Sequence, residues 1–189
     1  LLKQEGKIAN FGASVESIEQ GLICLEQEGL QSLQVIFNIF RQKLVTELLP
    51  QAAKKKVGII VRLPLASGLL SGKFNANTQF PKNDHRSYNK NGEAFNVGET
   101  FAGLPFETGV ALSEELKTFC TDGMSLAELS LRWILDHKEV TTIIPGASST
   151  KHVIQNSKTS SLPQLSKKLM QDLERFYNEK VYKHIRGVY

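Results

Sequence analysis

The chain has 189 residues, of which 41% are hydrophobic and 22% are charged, and its net charge at pH 7 is +4. This composition is near the average for globular proteins, so it excludes disordered, collagen-like and disulfide-scaffold classes. One domain is expected, because domains cluster at about 100–150 residues and barrels run past 200. The lysines are dispersed except at 54–56 and 167–168, which we interpret as solvated helix ends, so no nucleic-acid partner is expected.

No apolar run approaches the roughly 18 residues that span a bilayer, and no signal-type segment opens the chain. We therefore expect no membrane partner and a cytoplasmic location. Cys24 and Cys120 lack the spacing of a zinc or redox pair, which indicates buried thiols in a reducing compartment. His85, His137 and His184 show no metal-site spacing, so no metal ligand is predicted.

Strand-like and helix-like segments alternate along the first third of the chain. Residues 7–12 (KIANFG), 33–38 (LQVIFN) and 57–63 (VGIIVRL) predict three strands. Ser14 is expected to open a helix that Gly29 closes. The apolar stripes of the two intervening helices are Ile18, Leu22 and Leu25 in the first, and Leu44, Leu48 and Ala52 in the second.

The repeat is interrupted by residues 73–109, a long segment that we predict to be an ordered flap over a site. It resumes with a helix from Ser113 and another that a Ser125–Glu128 capping box opens. Residues 141–145 (TTIIP) predict a fourth strand. Helices are then expected from Thr150 and Ser166. The expected buried side chains of the helices after Ser125 and Ser166 are Leu126, Leu129 and Trp133, then Leu169, Leu173 and Phe176.

Alternation of this kind is typical of an α/β fold with parallel strands, in which the loops at the carboxyl ends of the strands bear the site. The loop at residues 146–149 has small residues ahead of a helix, so its free amides and the helix dipole favour an anion such as phosphate. Taken alone, a glycine-serine turn before a helix is more often an ordinary helix cap, so this loop by itself does not predict a nucleotide site.

In combination, these segments resemble the aldo-keto reductase family. The matching motifs are GKIANFGAS at 6–14, LQVIFN at 33–38, PLASGLLSGKF at 64–74, DHR at 84–86, GETFAG at 98–103, LRWIL at 131–135 and IIPGAS at 143–148. The resemblance implies a (β/α)8 TIM barrel in which the four strands are strands five to eight, the C-terminal half. It also implies that residues 1–189 are the C-terminal portion of an NADP-dependent oxidoreductase domain.

The resemblance implies a cofactor, NADP, and residues that contact it. Ser14 and Gln34 would contact the nicotinamide carboxamide, and Arg62 would pack against the nicotinamide ring. The remaining positions fall into two groups: Leu65, Ser67 and Lys73 over the pyrophosphate, and Gly146, Ser148, His152 and Asn156 around the adenosine and its 2′-phosphate.

Two departures from the family pattern affect these roles. Val15 stands where many relatives have asparagine, which removes one carboxamide contact, and the basic residues at 148–152 are reduced to Lys151 and His152, which weakens the preference for NADP over NAD. Each role also has a simpler alternative. Ser14 could be only a helix N-cap, Lys73 and Arg86 could be solvated loop charges, and His152 could be an exposed helix residue.

No catalytic residue is predicted here, because the family's D-x-A-x-x-Y-G motif is absent and no tyrosine of the chain matches the catalytic position. Residue 1 is leucine, which indicates a processed product or part of something longer. We expect a reductase of small carbonyl substrates, or else a non-catalytic nucleotide-binding protein or a half-barrel interaction protein. The expected partner is a missing N-terminal half or a second copy. Which of Val35, Phe37, Ile60 and Ile143 face inward stays open.

Overall fold

Four parallel strands form one sheet in the computed structural model, which describes residues 1–121 and 123–189. The strands are β1 (Phe11–Ser14), β2 (Leu30–Ile36), β3 (Gly58–Arg62) and β4 (Val140–Ile143), and they lie side by side in chain order. The α-helices are α1 (Ile18–Leu25), α2 (Leu48–Lys54), α3 (His85–Tyr88), α4 (Phe106–Leu116), α5 (Leu126–Leu135), α6 (Thr150–Lys158) and α7 (Lys167–Phe176). The predicted parallel α/β class is confirmed.

The first strand lies later in the chain than its sequence predicts. It covers Phe11–Ser14 rather than residues 7–12, because pairing begins where β2 supplies a partner, at Phe11 opposite Leu30. The preceding residues form turns instead, in which the Glu5 N–H donates to the Leu1 carbonyl at 2.9 Å.

The other strands differ from their predicted bounds by one to three residues. β2 begins earlier, at Leu30, and ends at Ile36. It ends there because the chain turns at Asn38, whose buried amide Nδ2 donates to the Leu63 carbonyl at 2.9 Å, while Oδ1 accepts from the Phe40 N–H at 3.0 Å. That side chain ties the β2 turn to the end of β3.

Two predicted helix starts are wrong. Ser14 does not open α1: it is the last residue of β1, and Ser17 caps the helix, its Oγ accepting from the Gln20 N–H at 3.1 Å. The helix expected from Ser113 begins at Phe106, directly after Pro105, whose fixed φ suits a helix start.

The later helices follow the predicted signals closely. The Ser125–Glu128 capping box is present, with the Glu128 carboxylate accepting from the Ser125 N–H at 2.9 Å. Ser166 caps α7, in which Leu173 and Phe176 are buried and Leu169 is half-buried. The helix predicted from Thr150 is capped one residue earlier, by Ser149.

The helices cover one face of the sheet and leave the other open. The helix-covered face has two rows of side chains that are each at most 2% exposed, and the paired residues in these rows are Leu33 with Ile59 and Val35 with Val61. Phe37 also lies on the helix side, with its ring centroid 4.9 Å from that of Trp133. The open face shows Ser14, Gln34, Ile60 and Thr142 in register across the sheet. Of the four residues whose direction the sequence left open, Ile60 points to the open face.

Residues 73–109 fold around an aromatic cluster, although their role as a flap stays a prediction. The rings of Phe74, Phe80, Phe101 and Phe106 lie with neighbouring centroids 4.9–6.1 Å apart. The Arg86 guanidinium stacks 4.5 Å over the Phe80 ring, and its hydrogen bonds hold the pKa of Asp84 down at about 2. Arg86 is thus a packed residue rather than a free loop charge.

Within the described part of the chain, the helices are too short or too polar to cross a bilayer.

Candidate functional site

Polar side chains stand at the carboxyl ends of three neighbouring strands. Ser14 ends β1 and is the register partner of Gln34 in β2, so the two point the same way, and Ser14 Oγ donates to Gln34 Oε1 at 3.4 Å. Arg62 ends β3. The structure therefore brings these three predicted site residues together at the carboxyl-terminal end of the sheet.

The Arg62 guanidinium links the ends of two strands to residues 73–109. Its Nη2 donates to the Val15 carbonyl at 3.1 Å, and its Nη1 forms an ion pair with Glu99, with side-chain exposures of 14% and 20%. Arg62 Nε is buried and has no hydrogen-bond partner among the described residues. A buried N–H without a partner costs free energy, so a ligand acceptor at this place would be stabilised.

The loop after β3 has an unusual backbone. Leu63, Ala66 and Ser67 all have φ between 49° and 55°, the left-handed region that non-glycine residues seldom adopt. Such conformations cluster at functional sites and persist where surrounding contacts hold them. Here Ser67 Oγ donates to the Glu99 carbonyl at 3.1 Å and accepts from the Phe101 N–H at 3.2 Å, which braces the loop.

Lys73 follows the loop after β3, and within the described residues its side chain forms no hydrogen bond with Ser14, Gln34 or Arg62. It is exposed, and within the described residues its ammonium forms neither a hydrogen bond nor an ion pair. The neighbouring Gly72 lies against Lys117 and Leu126, beside the start of α5. Leu65, by contrast, is half-buried against the core at the start of the loop.

The loop between β4 and α6 forms a second polar group beside the first. The Ile144 N–H donates to the Val61 carbonyl at 2.9 Å, which sets this loop against the end of β3. Asn156 Nδ2 reaches back to the Gly146 carbonyl at 3.3 Å. His152 Nδ1 accepts from the Ser148 N–H at 3.4 Å and lies 3.2 Å from Ser148 Oγ. The four residues predicted here thus form one cluster at the start of α6.

Sequence reasoning missed Glu99. It lies in the GETFAG motif, but nothing in the sequence indicates which of the many cations it pairs with. Val15, the departure from the family pattern, is buried and offers its carbonyl to Arg62.

His137 packs between aromatic rings with Nδ1 2.9 Å from the Trp133 carbonyl, and burial lowers its pKa. The described residues contain no cluster of potential metal ligands.

Residues 1–178 match the family model described as the aldo/keto reductase family. The chain belongs to this family. Among solved aldo-keto reductase structures, it is similar to the glycerol dehydrogenase AKR11B4 from Gluconobacter oxydans, with a TM-score of 0.75, 28% identity, and coverage of 100% of this chain and 54% of that one. The holo form of AKR11C1 from Bacillus halodurans shares the fold, with a TM-score of 0.67, 23% identity and the same coverage of both chains.

Curated relatives include proteins with different names. The uncharacterized oxidoreductase YqkF of Bacillus subtilis is 25% identical over 98% of this chain and 56% of its own length. A probable voltage-gated potassium channel subunit beta of Arabidopsis thaliana is 26% identical over 76% of this chain and 43% of its own. The chain thus spans about half the length of the aldo-keto reductase relatives it matches.

Proposed function

We propose that this chain supplies most of the NADPH site of an aldo-keto reductase that reduces aldehydes or ketones to alcohols. The observation behind the proposal is the placement of Ser14, Gln34 and Arg62 on three adjacent strand ends, with the β4–α6 loop beside them. Ligands of parallel α/β folds bind at this end, because the loops and helix N-termini converge there.

The residues present fit a pyridine dinucleotide. Among the described residues, Arg62 Nε is a buried donor without a partner, and no atom lies within 4 Å of a Cβ added to Gly146. The small residues at 146–149 precede the nine-residue helix α6, whose N-terminal dipole favours phosphate oxygens. The site therefore offers donors to an amide at one end and to phosphates at the other.

Each residue has a task in this proposal. Ser14 and Gln34 hold the carboxamide, and the Arg62 guanidinium packs beside the ring. Leu65, Ser67 and Lys73 lie along the pyrophosphate. The adenosine and its 2′-phosphate are held by Gly146, Ser148, His152 and Asn156. When bound, the nicotinamide supplies hydride to the carbonyl carbon of the substrate.

The proton for the carbonyl oxygen comes from outside this chain in the proposal. Tyr177 and Tyr189 are hydrogen-bonded to each other, with their hydroxyl oxygens 2.6 Å apart. Burial raises the pKa of both, to about 12 for Tyr177, which is unsuitable for a general acid at neutral pH. A proton donor from the barrel half that precedes these strands in the family completes the reaction.

Fluorescence titration with NADPH tests the proposal. Gln34→Ala should weaken binding, whereas Gln31→Ala, an exposed glutamine on the same strand, should leave it unchanged. Absence of binding by the complete protein would contradict the proposal. The intact mass and the upstream reading frame give a second test, because a D-x-A-x-x-Y-G motif encoded before Leu1 identifies the reductase.

A second candidate is a nucleotide-binding protein without turnover, and the similarity to the potassium channel subunit beta favours it. NADPH binding by the complete protein without reduction of any reactive aldehyde would select this candidate. Measurable turnover would select the reductase. Either protein is proposed to be cytoplasmic.

We also propose that the open sheet pairs with a barrel half absent from this chain or with a second copy. β1 and β4 each leave one edge without a strand partner among the described residues. The outermost elements also carry exposed aliphatic side chains, which are between 48% and 66% exposed: Ile23, Ile144, Val153 and Ile154. Unpaired edges promote association. Light scattering with denaturing mass spectrometry tests this, and a 21.1 kDa monomer that unfolds cooperatively would contradict it.

A further inference from the structure

The GETFAG segment, residues 98–103, lies between the loop that follows β3, which contains Ser67, and the C-terminal tail, residues 185–189. On one side, Glu99 pairs with Arg62 and its carbonyl accepts from Ser67. The opposite side is covered by the tail. Phe101 and Ala102 have φ of 54° and 58°, so the segment holds a strained backbone that needs contacts on both sides.

Arg186 hydrogen-bonds the tail to residues 90–104. Its guanidinium donates to the carbonyls of Gly103 (3.0 Å, from Nε), Leu104 (3.3 Å, from Nη2) and Lys90 (3.4 Å, from Nη2), and Nη1 donates to Asn91 Oδ1 at 3.1 Å. Its backbone N–H also donates to the Gly103 carbonyl at 3.2 Å. One planar cation thus holds two stretches of residues 90–104 together, a geometry that lysine does not reproduce.

Two glycines allow this close approach. An added Cβ on Gly103 would lie 2.6 Å from the Arg186 carbonyl oxygen, and one on Gly187 would lie 2.5 Å from Val97 Cγ1. Both have positive φ, at 82° and 79°. The tail therefore packs directly against the backbone on both sides of Glu99, at residues 97–98 and at Gly103.

Arg41 binds the tail through a hydrogen bond to Val188 and a cation–π contact with Tyr189. It is 1% exposed, donates to the carbonyls of Val188 (2.7 Å) and Ala102 (3.4 Å), and stacks 4.2 Å from the centroid of the Tyr189 ring. Tyr189 Oη in turn accepts from the Lys43 N–H at 2.9 Å. The tail and the segment therefore share one buried cation.

From these contacts we infer that Arg186 is a positioning residue for cofactor binding. It contacts neither Arg62 nor Ser67 in the described residues. It fixes the GETFAG segment from behind, and the segment holds Glu99 against Arg62 at the end of β3. This inference rests on the proposed function, because the arginine it positions is the one proposed to pack against the nicotinamide ring.

The test compares Arg186→Ala with Arg175→Ala in the complete protein. Arg175 is a matched control, since it is an exposed arginine of α7 whose removal changes the net charge equally. We expect roughly tenfold weaker NADPH binding for Arg186→Ala, a size typical of coupling within one network, and no change for Arg175→Ala. Arg186→Lys should recover only part of the loss. Hydrogen exchange at the Phe101 amide should accelerate in Arg186→Ala without bound cofactor.

A double-mutant cycle separates positioning from a general loss of stability. In a Glu99→Gln background, Arg186→Ala should have little further effect on the dissociation constant. Gly187→Ala is a second route to the same effect if Arg186→Ala folds poorly. Unchanged affinity in Arg186→Ala, or an equal loss in the Glu99→Gln background, overturns the inference and leaves the proposed function standing. Failure of the wild type to bind NADPH refutes the proposed function, and the inference with it.

Discussion

The Arg62–Glu99 ion pair should raise the free energy of unfolding by a measurable amount even without a bound cofactor. Glu99→Gln removes the negative charge opposite Arg62, so among the described residues the guanidinium keeps only neutral acceptors, the introduced amide oxygen and the Val15 carbonyl. Breaking a fully buried pair costs about 3–5 kcal/mol. Because these side chains keep exposures of 14% and 20%, we expect about 2–3 kcal/mol.

Urea unfolding gives the measurement, followed by the fluorescence of Trp133, the one tryptophan of the chain, which is 1% exposed. The control is Glu107→Gln. Its partner Lys90 lies 2.9 Å away, but both side chains are exposed, at 40% and 67%, so the loss should be about 0–1 kcal/mol.

The double variant Arg62→Met with Glu99→Gln completes a thermodynamic cycle. Since it removes both charges, it should cost about 1–2 kcal/mol less than the sum of the single variants. Additivity within about 0.5 kcal/mol, or a cost for Glu99→Gln no larger than that of Glu107→Gln, would refute the view that this pair is desolvated and coupled.

Three further predictions concern the cofactor, the reaction and pH. Lys73→Ala and His152→Ala in the complete barrel should each weaken NADPH binding by about 1.5–3 kcal/mol with smaller effects on kcat, and unchanged dissociation constants for both would favour solvated surface residues. The 189-residue chain alone should show no turnover of 4-nitrobenzaldehyde with NADPH, and a robust rate would overturn the assigned roles. Burial raises the pKa of Tyr177 from 10.0 to about 12, above its unfolded value, so its stabilising contribution is complete below pH 10 and is lost as pH rises through 12. Tyr177→Phe should flatten that loss in unfolding titrations, and an unaltered slope would contradict it.

The alternation of apolar residues predicts the strands of the sheet, because the buried side chains on the helix-covered face recur at every second position. The third strand, in which Ile59 and Val61 are fully buried, lies within one residue of its predicted bounds at each end. The first strand begins four residues later than its weak sequence pattern predicts, because its position depends on where β2 offers a partner. The helix α4 begins seven residues before the predicted Ser113, because its start depends on Pro105 and on the aromatic cluster rather than on a serine cap.

The family motifs indicated candidate site residues, but they did not indicate how those residues are held. Arg62 and Glu99 are 37 positions apart, and Arg186 lies 83 positions from Gly103. No local pattern encodes such pairs, since each depends on the path of two loops and a tail. Ser14 illustrates the same limit. Its position before α1 suggested a helix cap, yet Ser17 takes that role and leaves the Ser14 hydroxyl directed at Gln34.

The longer polar side chains of the open face lie toward the carboxyl ends of the strands. Gly12, Ser32 and Gly58 form a row of small residues, and an added Cβ on Gly12 would lie 2.6 Å from the Ser32 carbonyl oxygen. A side chain at position 12 would therefore require the backbone to move. One layer nearer the carboxyl ends, Ser14 and Gln34 replace it with hydroxyl and amide groups. The groups able to bind a ligand are therefore at the strand ends, where Arg62 and the GETFAG segment meet.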